Sequence, residues 1–253
     1  MYIQLSVFLY QTRKAVFFSW RMCMKKSVFY TELAYIFALL LIAIGTALTA
    51  YGGLGISMVV APAYILHLKL SEIYPFFTFG AAGYTSQAIV LLILMLLLRK
   101  VKPIYLLSFV VAVCHGFMLD CAVKATTFLP NEPYLQIILY IVGAIFCCAG
   151  LGLLFSTYLP TEAYELFVKE LSKKLHKPVT TVKTVYDCGS LALSVLLSFL
   201  FFGTIRGIGI GTVICAFLYG FIIRIFQNLY HKLFRFADKF PLRQYFEESE
   251  PSL

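Results

Sequence analysis

Charged side chains inside an apolar run are the residues here whose types could do chemistry, because charge in hydrocarbon is costly and is retained for a reason. Asp187 stands about one turn inside an apolar stretch, and Arg224 closes the next stretch at a similar expected depth. The spacing predicts an Asp187–Arg224 pair. Two roles fit it: a clasp between helices, or a carboxylate that gates or binds a solute. Glu165, on an amphipathic segment, either lines a cavity or lies on a solvated face. It follows Tyr164, and Tyr64 holds the matching place in the first half. His115, inside another apolar run, is either a hydrogen-bonded core residue or a proton relay. Asp120 stands four residues before Lys124, which predicts a plain i,i+4 ion pair.

Enzyme signatures are absent from the sequence: no GxSxG, no HExxH, no phosphate loop and no carboxylate pair in a polar context. Six of the seven cysteines (Cys114, Cys121, Cys147, Cys148, Cys188 and Cys215) lie in or beside apolar runs, without CxxC spacing or paired histidines. They read as small packing residues. The expectation is a protein that is not an enzyme, with no metal site and no cofactor.

Such residues need helices to position them, and composition says which kind. Of 253 residues, 61% are hydrophobic and 13% charged, about half the charged share of a soluble domain. Mean hydropathy is +0.87. Several runs of about 18 or more apolar residues can cross a ~30 Å hydrocarbon core as helices. The expected fold is an all-α polytopic membrane protein with six transmembrane helices, over about 33–50, 76–98, 103–120, 134–155, 184–203 and 207–227. Met58 to Leu70, short and interrupted by Pro62, reads as an interfacial or re-entrant piece. A break at Leu159-Pro160 precedes an amphipathic helix over 161–177, capped by Thr161, with Glu162 and Glu165 suited to its positive N-terminus.

The chain also repeats itself. Residues 104–120 and 208–224 align at an offset of 104, placing Ser108, Ala112 and Gly116 on Thr212, Ala216 and Gly220. Small residues at every fourth position form a flat face that lets helices pack closely in lipid. Ala63-Tyr64-x-Leu66 recurs as Ala163-Tyr164-x-Leu166. Residues 33–121 and 134–229 are therefore read as two three-helix repeats, flanked by a basic arm (1–32) and a cytoplasmic tail (230–253). Three crossings per repeat invert one copy relative to the other, an architecture of many secondary transporters, whose substrate sites lie near the midplane at broken helices. The breaks here are 52–62 and 159–164.

Net charge is +9, and its distribution points to a membrane rather than nucleic acid. In a six-span chain 18 of the 21 Lys and Arg residues fall on one side. That bias predicts both termini in the cytoplasm. Arg13, Lys14, Arg21, Lys25 and Lys26 break up the first 32 residues, which do not read as a signal peptide. They form a basic surface arm, or translation begins at Met22 or Met24.

The runs Tyr158 to Phe167, Val182 to Asp187 and Gly207 to Thr212 resemble the YczE/YyaS/YitT-type group of bacterial integral membrane proteins, over about 33–229. That group implies a Pro-Tyr/Trp-Asp-x-Leu motif after the fourth span. Here Ala163-Tyr164-Glu165-Leu166 keeps the aromatic and the acid but not the proline or aspartate. The resemblance implies a bacterial cytoplasmic membrane and no established activity; if the motif's acid matters, Glu165 bears it. The expected function is a permease or channel for a small solute. The alternative is a non-transporting scaffold or accessory subunit binding a partner protein. Expected partners are the lipid bilayer, a small solute, and a homo-oligomer or partner protein, with no nucleic acid. Transport predicts a water-accessible polar cavity between the repeats; a scaffold predicts a dry centre.

Overall fold

The computed structural model describes residues 27–130 and 132–240. The expected basic arm before residue 27, either form of its start, and the acidic tail from Glu247 lie outside the described residues. Eight helices and two short strands follow in order: β1 (Ser27–Tyr30), α1 (Thr31–Gly52), α2 (Ala61–Leu70), α3 (Phe79–Leu98), α4 (Pro103–Thr126), α5 (Pro133–Leu154), α6 (Ala163–Leu175), α7 (Val179–Phe202), α8 (Ile210–Leu233) and β2 (Phe234–Ala237). Six of these helices, each 20 to 24 residues, are long and apolar enough to cross a membrane. At about 1.5 Å per residue they match a hydrocarbon core of about 30 Å.

Local chemistry sets most boundaries. Pro62, Pro103 and Pro133 sit in the first turns of α2, α4 and α5, where a missing N–H costs nothing. Pro62 therefore starts a helix rather than interrupting one. Thr78 caps α3, its hydroxyl accepting from Ala81 N at 3.1 Å. Gly53 and Gly203 end α1 and α7 in the left-handed conformation. Three expectations shift. α4 runs past Asp120 to Thr126, because nothing after Asp120 breaks a helix before the Thr126–Pro130 turn. α7 begins at Val179, just after Pro178, which puts Asp187 about two turns inside rather than one. The N-cap of α6 is Glu162, not Thr161; its side chain makes no capping bond, and Ser108 Oγ donates to the Thr161 carbonyl at 3.0 Å.

The centre of the molecule is the crossing of α1 and α5. A Cβ at Gly45 would lie 2.6 Å from Gly143 O, one at Gly150 2.9 Å from Ala38 O, and one at Gly52 2.8 Å from Gln136 O. The sequence numbers rise on one helix as they fall on the other, so the two run antiparallel at backbone contact distance. In lipid that closeness supplies the dispersion energy that holds helices together. Around this pair, α1 packs on α4 and α5 packs on α8. The short helices cross over: α2 packs on α3 and α7, and α6 packs on α7 and α3. β1 pairs with β2 in parallel, Ser27 opposite Phe234, which brings the start of α1 and the end of α8 to the same side.

The halves differ in one respect that shapes the site. α3 and α4 are clasped: Asp120 accepts from Thr78 Oγ1 at 2.6 Å and from Gly80 N at 2.7 Å. This replaces the expected Asp120–Lys124 pair, because two donors at the start of α3 offer the carboxylate geometry that an exposed lysine does not match. α7 and α8 make no comparable packing contact among the described residues.

Candidate functional site

A cavity of about 330 Å³ lies midway along the helices. Ile42 and Thr46 of α1, Ala112 to Leu119 of α4, Cys147 and Leu151 of α5, and Cys215 to Ile223 of α8 contribute wall positions. Gly83, Tyr84 and Gln87 of α3 and Lys183, Thr184 and Asp187 of α7 line it as well. The N-terminal ends of both short helices reach it, with Ser57 to Val60 leading into α2 and Glu162, Tyr164 and Glu165 opening α6. A helix N-terminus carries about half a positive charge, so both breaks bring positive helix ends to one place.

The third span of each half holds the other half's break. Ser108 binds the Thr161 carbonyl before α6. Its repeat counterpart, Thr212, is fully buried against Gly55, where Gly211 N donates to Leu54 O at 2.9 Å. Tyr35 OH adds a bond to Pro160 O at 2.8 Å. The small-residue stripe is thus a seat for the opposite break, not a uniform helix–helix face. Along it the copies part: Gly116 is buried 3.0 Å (as a Cβ) from Gly80 O, whereas a Cβ at Gly220 would meet nothing within 4 Å. Ala216 and Gly220 are exposed cavity-wall positions, which corrects the expectation that they pack a neighbouring helix. The reason is that α7 and α8 do not pack closely on each other among the described residues.

Five ionisable side chains meet in the cavity: His115, Glu162, Glu165, Lys183 and Asp187. Lys183 Nζ stands 2.9 Å from Glu165 Oε1 and 3.8 Å from Asp187 Oδ1. His115 Nδ1 is 3.3 Å from Glu162 Oε1. That contact is close enough for charge interaction but lacks hydrogen-bond geometry, and Glu162 Oε1 makes no hydrogen bond. Gln87 orients the group, its amide nitrogen 3.4 Å from Glu162 Oε2 and its oxygen accepting from Ala163 N at 3.1 Å. Among the described residues three buried side-chain polar atoms make no hydrogen bond: His115 Nε2, Glu162 Oε1 and Asp187 Oδ1. Each such atom costs about 1–3 kcal/mol if left dry. All three belong to residues that line the one cavity.

The sequence candidates divide. Glu165, Asp187, His115 and Tyr164 come together on the cavity. Burial pushes the Tyr164 phenol well above the usual tyrosine range, although its bond to Ser86 acts the other way; it serves as a hydroxyl, not a phenolate. Tyr64 is elsewhere, its ring edge-on to Phe79 at 5.1 Å and against Gly207. The expected Asp187–Arg224 pair does not form. Asp187 turns to Lys183 one turn earlier on its own helix, while Arg224 lies exposed on α8. Sequence reasoning gives Lys183 to the cytoplasmic charge count, Glu162 to the helix dipole, and Gln87 a place inside the second span without a partner. The i,i+4 spacing of Lys183 and Asp187 was the available signal.

Among the described residues no group of three or more His, Cys, Asp or Glu gathers as metal ligands would. A second charged cluster, Lys102–Glu170 at 2.6 Å with Tyr105 OH at 3.2 Å, fastens α6 to the start of α4 away from the cavity. No curated protein and no solved structure matches the chain. Residues 29–228, all eight helices but the last turn or so of α8, match the family model described as a family of unknown function (DUF6198), and the chain belongs to that family.

Proposed function

We propose that the protein is a permease or channel for a small solute, not an enzyme, working as two inverted three-helix repeats in a bacterial cytoplasmic membrane with both termini cytoplasmic. Kinship with the YczE/YyaS/YitT-type group is part of this reading. The observation that carries it is the mid-depth cavity between the halves, lined by five ionisable side chains and three polar atoms without hydrogen bonds. A scaffold has no use for a cluster of ionisable groups with unfilled hydrogen bonds in its centre, where it only costs stability. The antiparallel α1–α5 crossing and the exchange of α2 and α6 between halves support inversion. The Lys and Arg bias supports the orientation.

Purified protein in sealed vesicles, assayed for uptake against solute panels, tests the reading. Gly83→Trp and Gly220→Trp each place a ring in the cavity at a position where a Cβ meets nothing within 4 Å. Flux in the native protein that both variants abolish while remaining folded is the expected result. Flux that survives both blocked cavities, or is absent for every solute, removes the permease reading. A reporter at the C-terminus that is active only on the periplasmic side removes the orientation.

A further inference from the structure

We infer that the cavity takes a small organic cation, an ammonium or guanidinium group carried on an apolar body. This deepens the permease reading and rests on it for the idea that the cavity receives a solute at all. Fixed charge comes first. Glu162, Glu165 and Asp187 bring three carboxylates, and Lys183 brings one permanent cation, already held between Glu165 and Asp187. The N-termini of α2 and α6 together add about one positive charge. Three carboxylates thus outnumber the single lysine.

Hydrogen-bond chemistry points the same way, independently of the charge count. Two of the three buried atoms without hydrogen bonds, Glu162 Oε1 and Asp187 Oδ1, belong to carboxylates, and the third is Nε2 of His115, a residue only 8% exposed. An ionised carboxylate oxygen only accepts, so a ligand that completes the site must donate N–H or O–H bonds to both acids. An anion or a pure acceptor supplies a hydrogen bond to neither.

The remaining walls describe the rest of the ligand. A bare metal ion is a poor fit, because no ligand-like cluster gathers among the described residues and about 330 Å³ is far more room than an ion needs. That volume is typical of small-molecule sites. Ile42, Leu151, Phe155 and Ile223 offer an apolar surface, and the rings of Tyr84 and Tyr219 add faces that attract a cation.

The test uses three probes of nearly one shape: phenethylammonium, phenylacetate and 2-phenylethanol. Each is titrated into the full-length protein in detergent at pH 8, and binding is read as a rise in unfolding temperature. The expected result is stabilisation by phenethylammonium alone. Glu162→Gln and Asp187→Asn should each weaken it about tenfold or more, the loss of one charge-assisted bond. Glu72→Gln, in an exposed pair with Lys69 away from the cavity, should leave it unchanged. Preference for phenylacetate, an equal response to all three probes, no response to phenethylammonium, or undiminished binding in both cavity variants overturns the inference. If the variants do not fold, the three-probe comparison on the native protein decides alone. Cation binding without flux in vesicles removes the permease and leaves the cation site. Flux of an anionic or neutral solute without cation binding does the reverse.

Discussion

Gly116 and Gly220 occupy the same repeat position, yet the same substitution at each should have opposite effects. In a helix, alanine is favoured over glycine by about 1 kcal/mol, so any position without steric conflict gains. At Gly220 a Cβ meets nothing within 4 Å, and Gly220→Ala should be neutral or stabilising by up to about 1 kcal/mol. At Gly116 the Cβ lies 3.0 Å from both Gly80 O and Tyr84 Cδ1. The ring edge can shift, but the carbonyl belongs to the backbone of an antiparallel helix whose start is clasped by Asp120. Overpacking of this kind costs about 1–3 kcal/mol, which exceeds the propensity gain over most of that range. Gly80→Ala should be worse again, since its Cβ meets Gly116 O and lies 2.7 Å from the Asp120 carboxylate. Unfolding in mixed micelles, followed by tryptophan-independent far-UV dichroism, ranks the three. The expected order of stability is Gly220→Ala, then Gly116→Ala, then Gly80→Ala. Equal destabilisation at Gly116 and Gly220 would refute the claim that one copy of the stripe is closed and the other open.

Three further outcomes follow from the charged residues. Lys183→Met leaves Glu165 and Asp187 facing each other without their cation. Its cost should fall between about 1 kcal/mol for an exposed pair and the 3–5 kcal/mol of a broken buried one, and Glu165→Gln in the same chain should restore part of it in a double-mutant cycle; additive effects would contradict the pairing. Asp120→Asn keeps the shape but weakens the bonds to Thr78 Oγ1 and Gly80 N, for a loss of about 1.5–3 kcal/mol in the same unfolding assay. Arg224→Gln should shift stability by less than about 0.5 kcal/mol, as at an ordinary surface site; a loss matching that of Lys183→Met would reinstate the Asp187–Arg224 pair.

Much of the frame was legible because hydropathy along a chain is a one-dimensional property that the bilayer reads directly. A backbone in hydrocarbon must bond to itself, so six long apolar runs become six helices, and Pro103 marks where one of them begins; Pro62, read as an interruption, also opens a helix. The recurrence of Ser108, Ala112 and Gly116 as Thr212, Ala216 and Gly220 also picked out two helices, α4 and α8, that both hold a break. It could not say what those faces meet. Ser108 and Thr212 seat the breaks of opposite halves, a relation between residues more than 50 apart that no local pattern encodes.

What the sequence by itself determined is the number of membrane-length helices, the amphipathic helix after the second break, and the presence of costly ionisable groups at Asp187, Glu165 and His115. What only the tertiary structure decided is which charges share a cavity, that Lys183 rather than Arg224 answers Asp187, and that Glu162 is turned inward. The physical reason is that a helix's depth and rotation are set by its neighbours rather than by its own hydropathy. Two residues of equal apparent depth meet only if their helices turn the right faces together, and α7 and α8 do not.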